Sequence, residues 1–224
     1  MKIIIAGATG FVGSEVVRQA IANDKIAQAF VLTRKPLADD LTKSDKVKVI
    51  TIEDFSVPFP QNVLDDLAGA EACIWAIGGR APQFPDVETA RKVSVDYTVN
   101  AARAFLAALP THLPAGQKFR FMFCSGQFAE WDDNKKLYML SDTRHIKGQV
   151  ERGLCEIADG AKDKFEVIIG RPGGILKTGG NALTKAAARA LGFIDVDHLA
   201  RDFIKLATEG HTSRIIEASE LVKM

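Results

Sequence analysis

The chain has 224 residues, 47% of them hydrophobic and 25% charged, enough apolar material for one sizeable core and little for a second, so a single domain over 1–224 is expected. Its 29 basic and 28 acidic residues are interspersed and leave a formal charge of +1, so no strong field draws nucleic acid or an anionic membrane. Cys73, Cys124 and Cys155 make no disulfide or metal-ligand pattern, and no apolar stretch reaches signal-peptide or bilayer length; no metal is expected, and the expected location is cytoplasmic.

The chain opens on an apolar run, Lys2–Ala6, of the kind that forms a buried parallel strand. Val12, Val16, Val17, Ala20 and Ile21 follow at helical spacing, predicting a helix with one face for the sheet. Further strands are predicted at Ala29–Thr33, Val47–Ile52, Ala72–Ile77, Phe119–Cys124 and Phe165–Gly170. Helical spacing places long helices at Thr89–Leu109 and Ser141–Asp159. In the last quarter, Ala182–Leu191 reads as an alanine-rich helix, Asp197 as the N-cap of another that Gly210 ends, and Arg214–Glu217 as an edge strand. This alternation predicts an α/β fold, a doubly wound parallel sheet of the Rossmann type with helices on both faces and ligands beyond the strands' carboxyl ends.

The first such end carries Gly7-Ala8-Thr9-Gly10-Phe11-Val12-Gly13 between a strand and an amphipathic helix. Gly7 permits a tight turn, Gly10 lets a phosphate approach the backbone, and Gly13 lets helix pack on strand; the amides converge on one pyrophosphate-sized place. After the second strand stand Thr33-Arg34-Lys35 where an NAD-binding site would carry an acid. Arg34 can hold a ribose 2′-phosphate with its planar fork, Thr33 and Lys35 can add contacts, and NADP(H) is the expected cofactor.

Four stretches, GATGFVG at 7–13, LTRKP at 32–36, FCSG at 123–126 and RPGG at 171–174, resemble the atypical branch of the short-chain dehydrogenase/reductase superfamily, especially its small NAD(P)H-binding members of the NmrA-like and Tat-interacting-protein-like kind. The resemblance covers nearly the whole chain and is more specific for fold and cofactor than for reaction. It implies a pyrophosphate loop of Gly7, Thr9, Gly10, Phe11 and Val12, and a 2′-phosphate clamp at Arg34. It implies adenine contacts at Asp54 and Phe55, an adenosine-ribose floor at Ile77 and Gly78, and a nicotinamide loop at Pro172, Gly173 and Ile175. Ser125 matches the serine that meets a substrate carbonyl, and Lys147 the lysine that binds the nicotinamide ribose. Members of the superfamily often pair through the two long helices, which leaves a homodimer open.

The departure is in the catalytic Tyr-x-x-x-Lys pair, where helical spacing puts both side chains on one face. Four residues before Lys147 stands Thr143, whose hydroxyl can hydrogen-bond a carbonyl but is too weak an acid to relay a proton near neutrality. Tyr138 and His145 are candidate donors without the family's spacing. The stretch Gln127–Tyr138 would overhang the cofactor, as a pocket wall or a lid, unless Trp131 packs on the body of the domain. Three functions follow: an NADPH-dependent reductase of a small carbonyl or conjugated double bond, an NADP(H)-sensing binding protein, or a non-redox isomerase, lyase or cyclase.

Overall fold

The computed structural model describes residues 1–177, 179 and 192–224. Its centre is a seven-stranded parallel sheet of β1 (Lys2–Ala6), β2 (Gln28–Thr33), β3 (Val47–Thr51), β4 (Ala72–Trp75), β5 (Phe119–Cys124), β6 (Phe165–Arg171) and an edge strand, Ile215–Glu217. The order is β3-β2-β1-β4-β5-β6-edge, so the chain reverses direction across the sheet between β1 and β4. A crevice opens beyond the carboxyl ends at that reversal. A separate two-stranded ladder pairs β7 (Ile175–Leu176) with β8 (Ile194–Asp195), which makes the edge strand β9.

Alternation along each strand sends successive side chains to opposite faces. Trp75, Phe119, Phe121 and Phe165 project to one face with Phe55, Phe59 and Phe105, ring centroids 5.4–6.5 Å apart. Ile3, Ile5, Val31, Ile74 and Ile168 project to the other, a mainly aliphatic layer. The aliphatic face is covered by α1 (Phe11–Ala22) and by a C-terminal helix at Val196–Glu209. The aromatic face is covered chiefly by the helices at Tyr97–Ala108 and Ser141–Gly160. Among the described residues the α-helices in chain order are α1, α2 (Asp39–Thr42), α3 (Gln61–Asp66), α4 (Val87–Arg91), α5 (Tyr97–Ala108), α6 (Ser141–Gly160), α7 (Val196–Glu209) and α8 (Ala218–Leu221).

Some expected boundaries shift, with local causes. β4 stops at Trp75 rather than Ile77, because Ala76 makes the last ladder bond, to Ala6, and Gly78 at φ 125° turns the chain out. The expected helix Thr89–Leu109 is interrupted by a π turn at Lys92–Asp96, where the Thr98 hydroxyl donates to the Ser94 carbonyl at 2.6 Å. Asp197 is not the cap of α7: Asp195 holds that position, and Asp197 sits in the first turn, paired with Arg201 at 3.2 Å. Gly210, at φ 79°, ends α7 as expected. The helix read at Ala182–Leu191 lies outside the described residues. No helix among the described residues is long and apolar enough to cross a membrane.

Candidate functional site

The glycine loop joins β1 to α1. Gly7 sits at φ 88°, where a Cβ would lie 2.6 Å from the Ala76 backbone, and a Cβ on Gly13 would overlap the Gly7 carbonyl. Both glycines are therefore dictated by packing alone. Gly10 is different: its amide donates to Gly7 at 2.9 Å, and it caps α1 without a side chain, leaving the first-turn amides open to a ligand. Gly7, Thr9 and Gly10 form one wall of an open cleft of about 220 Å³. Phe11 and Val12 lie in the first turn of α1 and are not part of that wall.

The second wall is Leu32, Thr33, Arg34 and Lys35 at the end of β2. Thr33 spends its hydroxyl on the loop, donating to the Lys35 carbonyl at 2.7 Å and accepting from the Lys35 amide at 3.2 Å. Arg34 and Lys35 stay exposed, with the Arg34 guanidinium 5.7 Å from the Tyr97 ring centre. Asp54 accepts from the Ser56 amide and hydroxyl, both at 2.8 Å. Those bonds, with smaller help from Lys92 and Arg34, hold its carboxyl below the usual range. Phe55 lines the cleft at its base but is buried, edge-on to Trp75 at 5.7 Å. Ile77 and Gly78 form the floor, joined by Phe84 and Val93, which no local sequence pattern singles out.

Lys147 projects from α6 into the interior, donating to the Cys124 carbonyl at 3.1 Å with its ammonium 5.0 Å from the Phe123 ring centre. Burial pushes its pKa down. A Cβ on Gly78 would lie 3.4 Å from that ammonium and 3.3 Å from Ser94 Oγ, so the three meet under the cleft floor. Ser94 is 1% exposed and its hydroxyl has no hydrogen-bond partner. Thr143, one turn before Lys147, accepts the Ala81 amide at 2.9 Å. His145 is half-buried, with Nε2 enclosed and unpartnered, and Tyr138 is fully exposed.

One turn beyond Lys147 stands Glu151, which nothing in the sequence marks as a site residue. It is 0% exposed and accepts from Ser125 Oγ (2.5 Å), Trp131 Nε1 (2.7 Å), Arg171 Nε (2.9 Å) and Arg171 Nη2 (2.5 Å). Four donors saturate a buried carboxylate, and Arg171 is in turn held above its ordinary pKa chiefly by Glu151. Ser125 continues the inward face of Phe121 and Phe123, so its hydroxyl points into the domain. Gly126, the next residue, has open space where a Cβ would be. Trp131 is thus fastened to the body of the domain: Arg152 also holds its carbonyl at 2.9 Å, and Arg144 holds Phe128 at 2.7 Å. Pro172 is buried and accepts from the Gln127 amide at 2.8 Å, Gly173 abuts Gly192, and Ile175 pairs with Ile194.

No family model matches this chain, and no curated protein matches it. Solved structures do resemble it. MoeE5 in complex with UDP-glucose and NAD is 18% identical, with a TM-score of 0.70, over 97% of this chain and 75% of that one. Yeast methylglyoxal/isovaleraldehyde reductase Gre2 complexed with NADPH is 15% identical, with a TM-score of 0.73, over 97% and 77%. Gre2 of Candida albicans in complex with NADPH is 18% identical, with a TM-score of 0.71, again over 97% and 77%. At these identities the likeness shows the fold, a Rossmann-type parallel α/β sheet flanked by helices.

Proposed function

We propose that this chain binds NADP(H) and is an oxidoreductase reducing a small carbonyl or conjugated double bond at an atypical site. The observation that carries this reading is the cleft itself, where open α1 amides face Arg34 across a floor underlain by a buried lysine. The residues fit a dinucleotide: the amides around Thr9 and Gly10 suit a pyrophosphate, and Arg34 with Lys35 suits a 2′-phosphate. The unpartnered Ser94 hydroxyl and the Lys147 ammonium suit a ribose. Pro172, Gly173 and Ile175 are assigned to the nicotinamide side. Nicotinamide would supply the hydride there.

Among this chain's own residues, Thr143 accepts a backbone amide and keeps its own hydroxyl proton to donate to an acceptor oxygen. Water delivers the proton, because Tyr138 stands in solvent. Ser125 acts through position, its hydroxyl committed to Glu151, and Gly126 leaves the acceptor side open. The commitment of Ser125 to Glu151 and the exposure of Tyr138 also favour a second reading, a NADP(H)-binding protein without turnover.

The test is titration with NADPH and with NADH, followed by nicotinamide fluorescence, with Arg34→Ala beside the wild type. NADPH is expected to bind roughly 10–100-fold more tightly than NADH, the value of one or two charged hydrogen bonds, and Arg34→Ala to erase the difference. NADPH consumption with carbonyl or enone acceptors supports the reductase. Binding without consumption of any acceptor shifts the reading to the binding protein, and failure of both nucleotides to bind removes both.

A further inference from the structure

A second cavity lies away from the nucleotide cleft and shares no lining residue with it. α1 and α7 pack side by side, and between the end of α1 and the face of α7 from His198 to Glu209 they leave a groove of about 350 Å³. Gln19, Asn23 and Lys25 line it from the end of α1 and the turn beyond. His198, Asp202, Lys205 and Glu209 line it from α7, at a spacing of three and four residues that puts them on one face.

The anomaly in this groove is Asp202. It is 4% exposed, and its Oδ2 accepts no hydrogen bond. His198 Nε2 stands 3.5 Å from that oxygen, beyond ordinary hydrogen-bond length. The longer cations nearby are turned elsewhere: Arg201 pairs with Asp197 at 3.2 Å and Lys25 with Glu209 at 2.7 Å. A carboxylate buried without donors is costly, and burial pushes the Asp202 carboxyl up to about 7 against the pull of Arg201 and Lys205.

We propose that this groove binds a small zwitterion of the amino-acid type, with its ammonium donating to Asp202 and its carboxylate facing Lys205. The enclosed Asp202 oxygen accepts no hydrogen bond and has His198 at 3.5 Å as its ion-pair neighbour, so the inner end of the ligand is a donor rather than an anion. Of the rim cations, Lys25 is paired with Glu209 and Arg201 with Asp197, which leaves Lys205 to favour a negative outer end. The volume is near the lower end for small-molecule sites, which suits a ligand of amino-acid size. Asp202 and Lys205 are three residues apart on α7, close enough for one such ligand to reach both.

The experiment is a calorimetric titration of the full chain with β-alanine at pH 6 and pH 8, with propylamine and propionate as its single-charge halves. β-Alanine is expected to bind more tightly than either half. Its affinity should rise roughly tenfold from pH 6 to pH 8 as Asp202 ionises. Asp202→Asn should lower affinity at pH 8 at least tenfold and flatten the pH dependence. Lys205→Ala, an exposed change that leaves the fold intact, should bring β-alanine down to the level of propylamine. The proposal is overturned by propionate binding as tightly as β-alanine, by affinity that rises toward pH 6, by indifference to either substitution, or by no saturable heat from any of the three probes.

Discussion

The two ends of this domain's candidate site are built from opposite materials. The β1–α1 loop owes its shape to side chains that are missing: Gly7 and Gly13 let three stretches of backbone touch, and the ligand-facing groups are amides. The corner where β5, α6 and β6 meet is built from charge, with Glu151 drawing Ser125, Trp131 and Arg171 onto one buried carboxylate. A site made by steric exclusion tolerates no added atom, whereas a site made by a saturated charge tolerates no lost partner. The two therefore fail under opposite kinds of substitution.

The largest effect is expected in the loop. Gly13→Ala forces a methyl group into the Gly7 carbonyl, so either α1 moves off the sheet or the loop opens, with a loss of several kcal/mol and of nucleotide binding. Gly10→Ala separates fold from ligand, since its Cβ would lie 3.2 Å from the same carbonyl and crowd the ligand side more than the fold. Thermal melts with NADPH titrations should show Gly13→Ala unfolding well below wild type, and Gly10→Ala melting near wild type while binding weakly. Equal melting of the two variants would mean that Gly13 is not the packing glycine.

Next in size is the corner. Glu151→Ala leaves Arg171 with Glu217 alone, at 2.8 Å, and removes the partner of Ser125 and Trp131, so the loss should lie toward the lower end of the about 3–5 kcal/mol that breaking a buried pair costs. That is roughly 10 °C in melting temperature for a chain of this length. Glu151→Gln keeps the shape and loses the charge, so it should fall between the two. NADPH affinity of the folded fraction should change little if the loop and the corner are independent. A Gln variant as stable as wild type would show that packing, not charge, holds the corner together.

The same contrast explains what is legible in the sequence. Glycine spacing is a local pattern in the chain, so the loop can be read from the residues alone, as can the strands from their apolar runs. Glu151 cannot, because its partners lie 26 and 20 residues away and nothing local distinguishes it from a surface helix glutamate. The inward aim of Ser125 is similarly hidden: its place after β5 is clear, but which face it takes depends on the register of the strand. Phe84 reaches the cleft from a loop and Ser94 reaches the underside of its floor from a π turn, and no periodicity announces either.

Lys147 stands between the two regions, and the smallest predicted effect decides to which it belongs. Its ammonium is buried with one carbonyl and one aromatic face as partners, and burial lowers its pKa from the ordinary 10.5. A lysine with a lowered native pKa binds fewer protons folded than unfolded between that value and 10.5, so wild-type stability gains from rising pH across this window. Lys147→Met keeps the length and removes the charge, and should stabilise the nucleotide-free protein by about 1–2 kcal/mol near neutrality. The advantage should shrink as pH climbs toward 10.5, where both chains carry a neutral side chain. NADPH affinity should fall in the same variant, since the ribose loses its cation. Stability gained while binding is lost assigns Lys147 to the nucleotide site; a Met variant less stable than wild type at neutral pH would assign it to the corner that Glu151 holds.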